Sequence, residues 1–180
     1  MGRVTWSAVV LAGGRGSRLG GVDKASLVVG GRTLLDHVLD AVALARRTVV
    51  VGPRKDHVPG VTWAREEPPG GGPVAGLAAG LAHVGTDLVV VLAVDQPGLT
   101  RSTVDRLLAA VGETGAVLVD EEGRSQWLIG AWRTDALRAA LPDDPRDTSL
   151  RSVLGPLDPV PVIARPGEAR DVDTPRDLTP

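Results

Sequence analysis

Two rhythms of apolar and polar positions alternate along this chain. Residues 5–11 and 87–94 are almost uninterrupted apolar, β-branched runs, as expected of strands buried on both faces of a parallel sheet. Shorter runs at 48–51, 61–64, 116–119, 128–132 and 160–164 read as further strands. Between them the period lengthens to that of a helix: Thr33 caps a segment whose Leu34, Leu35, Val38, Leu39, Val42 and Ala43 share one side. Comparable helices are predicted over 74–84, 100–111, 134–141 and 149–154. Pro73 suits the first turn of the 74–84 helix, and residues 66–73 before it are loop by composition. Strands alternating with helices imply parallel strands joined by right-handed crossovers, hence a three-layer α/β/α sandwich around a mostly parallel sheet. Ligands of such sheets bind beyond the carboxyl ends of the strands, which places the loops after Leu11, Ala64 and Val94 on one rim.

Composition narrows the function. A chain of 180 residues fits one domain over 1–180. Its longest apolar run, 88–94, is far short of the roughly 20 residues that cross a bilayer, so no membrane is expected as a partner. The first residues carry no signal-peptide pattern, and the absence of cysteine removes disulfides, thiolate catalysis and cysteine-bound zinc; both suit a cytoplasmic protein. A net charge of −2 argues against nucleic acid, whose backbone demands clustered cations. Phe and Tyr are missing, leaving Trp6, Trp63, Trp127 and Trp132; the last two flank a strand that could line an acceptor pocket. Of 20 basic residues only Lys24 and Lys55 are lysine, so each lysine stands against a strong preference for arginine.

The loop after the first strand, residues 11–24, concentrates the chemistry. Glycines at 13, 14, 16, 20 and 21 allow consecutive backbone N–H groups to turn inward, while Arg15, Arg18 and Lys24 supply countercharge for a polyphosphate. A P-loop is excluded because Gly16 and Gly21, correctly spaced, are followed by Val22 in place of Lys. A dinucleotide fingerprint fails because Leu19 stands where Gly or Ala is needed. The competing reading is a plain strand-to-helix turn. Asp95, at the end of the 87–94 strand, is a natural Mg²⁺ ligand or, alternatively, a turn cap before Pro97. Asp171 and Asp173 are candidates for a second carboxylate, and Asp173 or Thr174 could instead cap a short turn. Gly76 permits either a flat base or close helix packing. His37, His57 and His83 lack metal-ligand spacing and read as surface or packing residues.

From Leu11-Ala12-Gly13-Gly14 through Arg18 to Lys24, this loop resembles the signature of the molybdenum cofactor guanylyltransferases and their cytidylyl and sugar-nucleotide relatives, the MobA-like NTP transferases. The segments 72–77 (GPVAGL), 93–97 (AVDQP) and 171–178 (DVDTPRDL) resemble that family's later motifs in the same order. The resemblance implies a Rossmann-like sheet of the nucleotide-diphospho-sugar transferase type. It also implies a Mg²⁺-dependent transfer of GMP from GTP to molybdopterin with release of pyrophosphate. A cytidylyltransferase acting with CTP, another small phosphate-acceptor enzyme and a non-catalytic nucleotide-binding module are the alternatives. Lys24, Arg18 and Asp95 are the implied catalytic residues. The nucleotide would be held by Leu11, Ala12, Gly13, Gly14, Gly16, Lys24, Gly52, Glu66, Gly76 and Asp95, and the metal by Asp95 and Asp173. Glu66 and Gly52 depart from the Asp and Asn found in guanylyltransferases. Transient docking to a molybdoenzyme or another cofactor-biosynthesis protein would follow from the same likeness.

Overall fold

A computed structural model describes residues 4–13, 15–16 and 21–173. Its centre is a seven-stranded sheet in the order β11-β9-β10-β8-β1-β6-β7. The strands are β1 (Trp6–Leu11), β6 (Thr48–Val51), β7 (Thr62–Ala64), β8 (Leu88–Ala93), β9 (Gly115–Val119), β10 (Ser125–Arg133) and β11 (Val160–Ile163). Two small ribbons, β2 (Arg15–Gly16) with β3 (Val22–Asp23) and β4 (Val28–Val29) with β5 (Arg32–Thr33), lie between β1 and β6 in sequence.

The strongest apolar runs become the middle of the sheet because only there are both faces covered. β1 pairs parallel to both β6 and β8, and their side chains alternate between two cores. Ala8, Val10, Val90 and Leu92 face α1 (Leu34–Ala41) and α3 (Arg101–Ala110). Val9, Leu11, Val89 and Val91 face α2 (Pro73–Leu81), α4 (Thr134–Ala140) and α5 (Leu150–Leu154). Thr33 closes a reciprocal capping box with Asp36 at the start of α1, and Thr100 does so with Thr103 at the start of α3.

The sheet is mostly parallel, as expected, with one exception. β10 runs antiparallel to both β8 and β9, so the sheet is mixed. Its register shifts between Gln126 and Gly130, which splits the periodicity from which the sequence suggests only the 128–132 part of the strand. Trp132 is fully buried in the core, where its ring abuts Gly115 and Gly130, and it does not line an open pocket.

After β11 the chain turns back across the carboxyl ends of the strands. Ala164 N–H donates to Val119 O (2.8 Å) and Val172 N–H donates to Asp95 O (2.8 Å). Between these points the Glu168 carboxylate, 5% exposed, accepts from Thr103 Oγ1 (2.6 Å), Arg106 Nη1 (2.7 Å) and Arg165 N (2.6 Å).

On the opposite face, α2 lies so near the sheet that a Cβ at Gly80 would come within 2.5 Å of Val9 Cγ1 and 3.0 Å of Val51 Cγ2. Valine methyls in a filled core have no room to retreat. Gly80→Val is therefore expected to lower the unfolding free energy by about 1–3 kcal/mol, read as a shift of the urea midpoint.

Candidate active site

The rim of the sheet forms because the ladder continues past the strand ends. Ala12 N–H donates to Val51 O (2.9 Å), Gly52 N–H to Ala64 O (2.9 Å) and Val94 N–H to Leu11 O (3.1 Å). The loops after β1, β6, β7 and β8 thus leave from one edge, as the topology argument expects. Gly52 has a structural reason to be glycine: its φ is +155°, and a Cβ would stand 3.1 Å from the backbone of Ala12 and Gly13. Leu11 and Ala12 are buried in that seam while Gly13 is exposed beyond it.

Lys24 begins a 3₁₀ turn, Lys24–Ser26, that its neighbours hold in place. Asp23 caps the turn by accepting from Ala25 N (3.1 Å) and Ser26 Oγ (3.0 Å). The Lys55 ammonium, on the loop after β6, pairs with Asp23 and donates to Ser26 Oγ (2.8 Å). Burial disfavours the Asp23 carboxylate, but the bonds from Lys55, Ser26 and Ala25 overcome it and hold the group below its ordinary pKa. Both lysines of the chain therefore meet at one short turn. The sequence singles out Lys55 only as the second lysine in an arginine-rich background; nothing in its local pattern joins it to Asp23.

From this turn the Lys24 ammonium reaches Asp95 Oδ2 at 3.2 Å and Asp173 Oδ1 at 2.8 Å. These partners lie 71 and 149 positions away in sequence. The Lys24 side chain is 16% exposed, against 26% for Asp95 and 44% for Asp173. Burial disfavours the ammonium, yet the Asp173 hydrogen bond and the Asp95 charge more than offset it, and the lysine pKa is raised. The pairing thus holds fully below the ordinary lysine value and is lost only as pH climbs through the raised one. Asp171 takes a different place: Gln96 Nε2 donates to its Oδ1 at 2.8 Å. Removal from water, together with the charges of Asp95 and Asp173, pushes the Asp171 carboxyl up against the opposing Gln96 bond and Lys24 charge. The sequence offers Gln96 only as part of the 93–97 segment; its amide nitrogen gives the segment after β11 a second tie to the Asp95 loop.

The remaining expected residues are placed less directly. Glu66 Oε1 accepts from Gly70 N (3.1 Å) and so folds its own loop. Gly76 is buried, with the Leu11 and Val51 side chains in ordinary packing distance of a Cβ there. Gly16 contributes backbone to β2, whereas Gly14 and Arg18 lie outside the described residues. His37 Nε2 meets Val29 O at 2.9 Å, a packing role.

No group of three acidic, His or Cys side chains is arranged as a ready metal cage among the described residues. What the site offers is carboxylate oxygens converging on one cation. That donor chemistry fits Mg²⁺, which takes one or two protein carboxylates and completes its octahedron with phosphate and water.

Known proteins resemble this chain over most of its length. The MobA-like NTP transferase domain matches residues 8–160. A molybdenum cofactor guanylyltransferase of Acidiphilium cryptum is 36% identical over 142 residues, covering 73% of this chain and 69% of that protein. The molybdenum cofactor guanylyltransferase of Vibrio cholerae is 34% identical over 124 residues, covering 67% of this chain and 61% of its own length. Among solved structures, a nucleotidyl transferase from Methanothermobacter superposes with a TM-score of 0.75 at 26% identity, covering 96% of this chain and 94% of the other. No helix among the described residues is long and apolar enough to cross a membrane.

Because Gly52 meets backbone atoms that cannot swing aside, Gly52→Ala should push the loop after β1 outward. The expected outcome is a loss of about 1–3 kcal/mol in stability, measured by chemical denaturation.

Proposed function

Because the chain belongs to the MobA-like NTP transferase family, we propose that it is a cytoplasmic nucleotidyltransferase that moves GMP from GTP to molybdopterin. The observation that carries this reading is the convergence of Lys24, Asp95 and Asp173 beside the glycine-rich loop. A phosphate oxygen of the acceptor attacks the α-phosphorus of the nucleotide. The new P–O bond forms as the bridge between the α- and β-phosphorus breaks, and pyrophosphate leaves with the electron pair.

Each side chain has a task in that exchange. Gly13, exposed just beyond the bond that spends the Ala12 N–H on Val51 O, would present its backbone to the phosphates at the end of β1. The compact ammonium of Lys24 approaches the reacting phosphate closely and stabilises the charge that grows as pyrophosphate departs. Asp95 and Asp173 would hold Mg²⁺, which when bound neutralises phosphate charge and fixes its orientation. No protein nucleophile is needed, since positioning and charge stabilisation supply most of the catalysis of such transfers.

The test mixes protein, Mg²⁺ and molybdopterin with GTP, CTP, UTP or ATP in turn and measures pyrophosphate. Release with GTP is expected. Release with CTP alone would move the protein to the cytidylyl branch, and tight GTP binding without release would make it a binding module. Lys24→Ala should slow turnover by about a hundredfold, the loss of about 2.7 kcal/mol of transition-state stabilisation. An unchanged rate would remove Lys24 from the mechanism.

A further inference from the structure

We propose that Glu168 and Arg106 are positioning residues that set Asp171 and Asp173 against Asp95 and Lys24. The proposal deepens the nucleotidyl-transfer reading and rests on it for the purpose of the two carboxylates.

Three independent features pin the segment between β11 and Asp173. The first is the Glu168 carboxylate, which is enclosed and fully engaged. Besides Thr103, Arg106 Nη1 and Arg165 N, it accepts from Arg106 Nη2 at 3.1 Å, so the guanidinium binds it as a fork. Burial works against this carboxylate, yet the bonds from Arg106, Thr103 and Arg165 hold it below its ordinary pKa. Arg106 Nη2 also donates to Ile163 O at 2.8 Å, tying the start of the segment to the same helix.

Backbone contact is the second feature. A Cβ at Gly98 would stand 2.1 Å from Gly167 O, so the loop that follows Asp95 and the turn before Glu168 touch with no side chain between them. Gly167, at φ +85°, makes that turn. The third is the Val172 N–H to Asp95 O bond, with the Val172 side chain 2% exposed.

The arrangement has a direction. Thr103 belongs to the capping box of α3, the helix that begins just beyond the Asp95 loop. One buried carboxylate therefore fastens to the same short stretch of chain both the loop that bears Asp95 and the segment that bears Asp171 and Asp173. Asp173 itself is 44% exposed and is held to Lys24 from the solvent side. The backbone that leads to it is fixed at Glu168 and Val172.

Amide exchange by NMR tests the anchoring without reference to turnover. In Glu168→Gln the Val172 amide should exchange about tenfold faster, from loss of charge-assisted bonds, while amides of β1 and β8 keep their rates. Mn²⁺ affinity in the presence of a non-hydrolysable GTP analogue, measured by titration calorimetry, should fall about tenfold, as for partners that orient metal ligands. Gly98→Ala leaves every charge in place and is expected to move both readings the same way; it serves as the sole variant should Glu168→Gln not fold. Unchanged Val172 exchange in the folded variants overturns the proposal, as does faster exchange with unaltered Mn²⁺ affinity. If the unmodified protein takes up no Mn²⁺ with the nucleotide, the nucleotidyl-transfer reading falls, and the exchange rates alone decide the anchoring.

Discussion

The clasp of Lys24 by Asp95 and Asp173 is the contact on which the rest of the site depends. It draws together the loop after β1, the end of β8 and the segment after β11. Neither carboxylate is deeply buried, so solvent screens the attraction and the clasp contributes little to holding the sheet together. Its importance is geometric. An ammonium between two carboxylates marks the point where phosphate charge and a divalent cation would be reconciled. The two cores on either side of the sheet exist to keep that point still.

Rigidity reaches the site from both directions. On the side of the glycine-rich loop, Asp23 caps the turn that bears Lys24, and Lys55 locks Asp23. On the side of the carboxylates, β8 is enclosed between β1 and β10, and α3 starts from a capping box whose Thr103 also grips Glu168. The chemistry thus sits between two supported elements, a favourable arrangement for a reaction whose barrier falls through placement.

Much of this was legible in the sequence, for identifiable reasons. The valine-rich runs of β1 and β8 announced doubly covered strands, and Thr33, Pro73 and Thr100 marked helix starts because capping and proline preferences are local. The common rim followed from topology alone, and Lys24 in the glycine-rich loop and Asp95 at the end of β8 stood out as candidates that the structure brings within 3.2 Å. Antiparallel β10 was not legible, since a buried run carries no sign of its direction and the bulge between Gln126 and Gly130 blurs the pattern. The partners of Lys55, Gln96 and Glu168 were not legible because each lies 32, 75 or 65 positions away. Nothing in the residues beside them points to those partners.

Separation in sequence has a consequence for how the molecule is made. The turn bearing Lys24 and the first strands of the sheet leave the ribosome long before Asp173, 149 positions later, exists. Because the cost of closing a loop grows only slowly with its length, the 149 positions between Lys24 and Asp173 add little to the entropy lost when the two meet. The clasp can therefore form only once β8 and β11 have been made, and it is a contact of the whole fold and not of any one part of it.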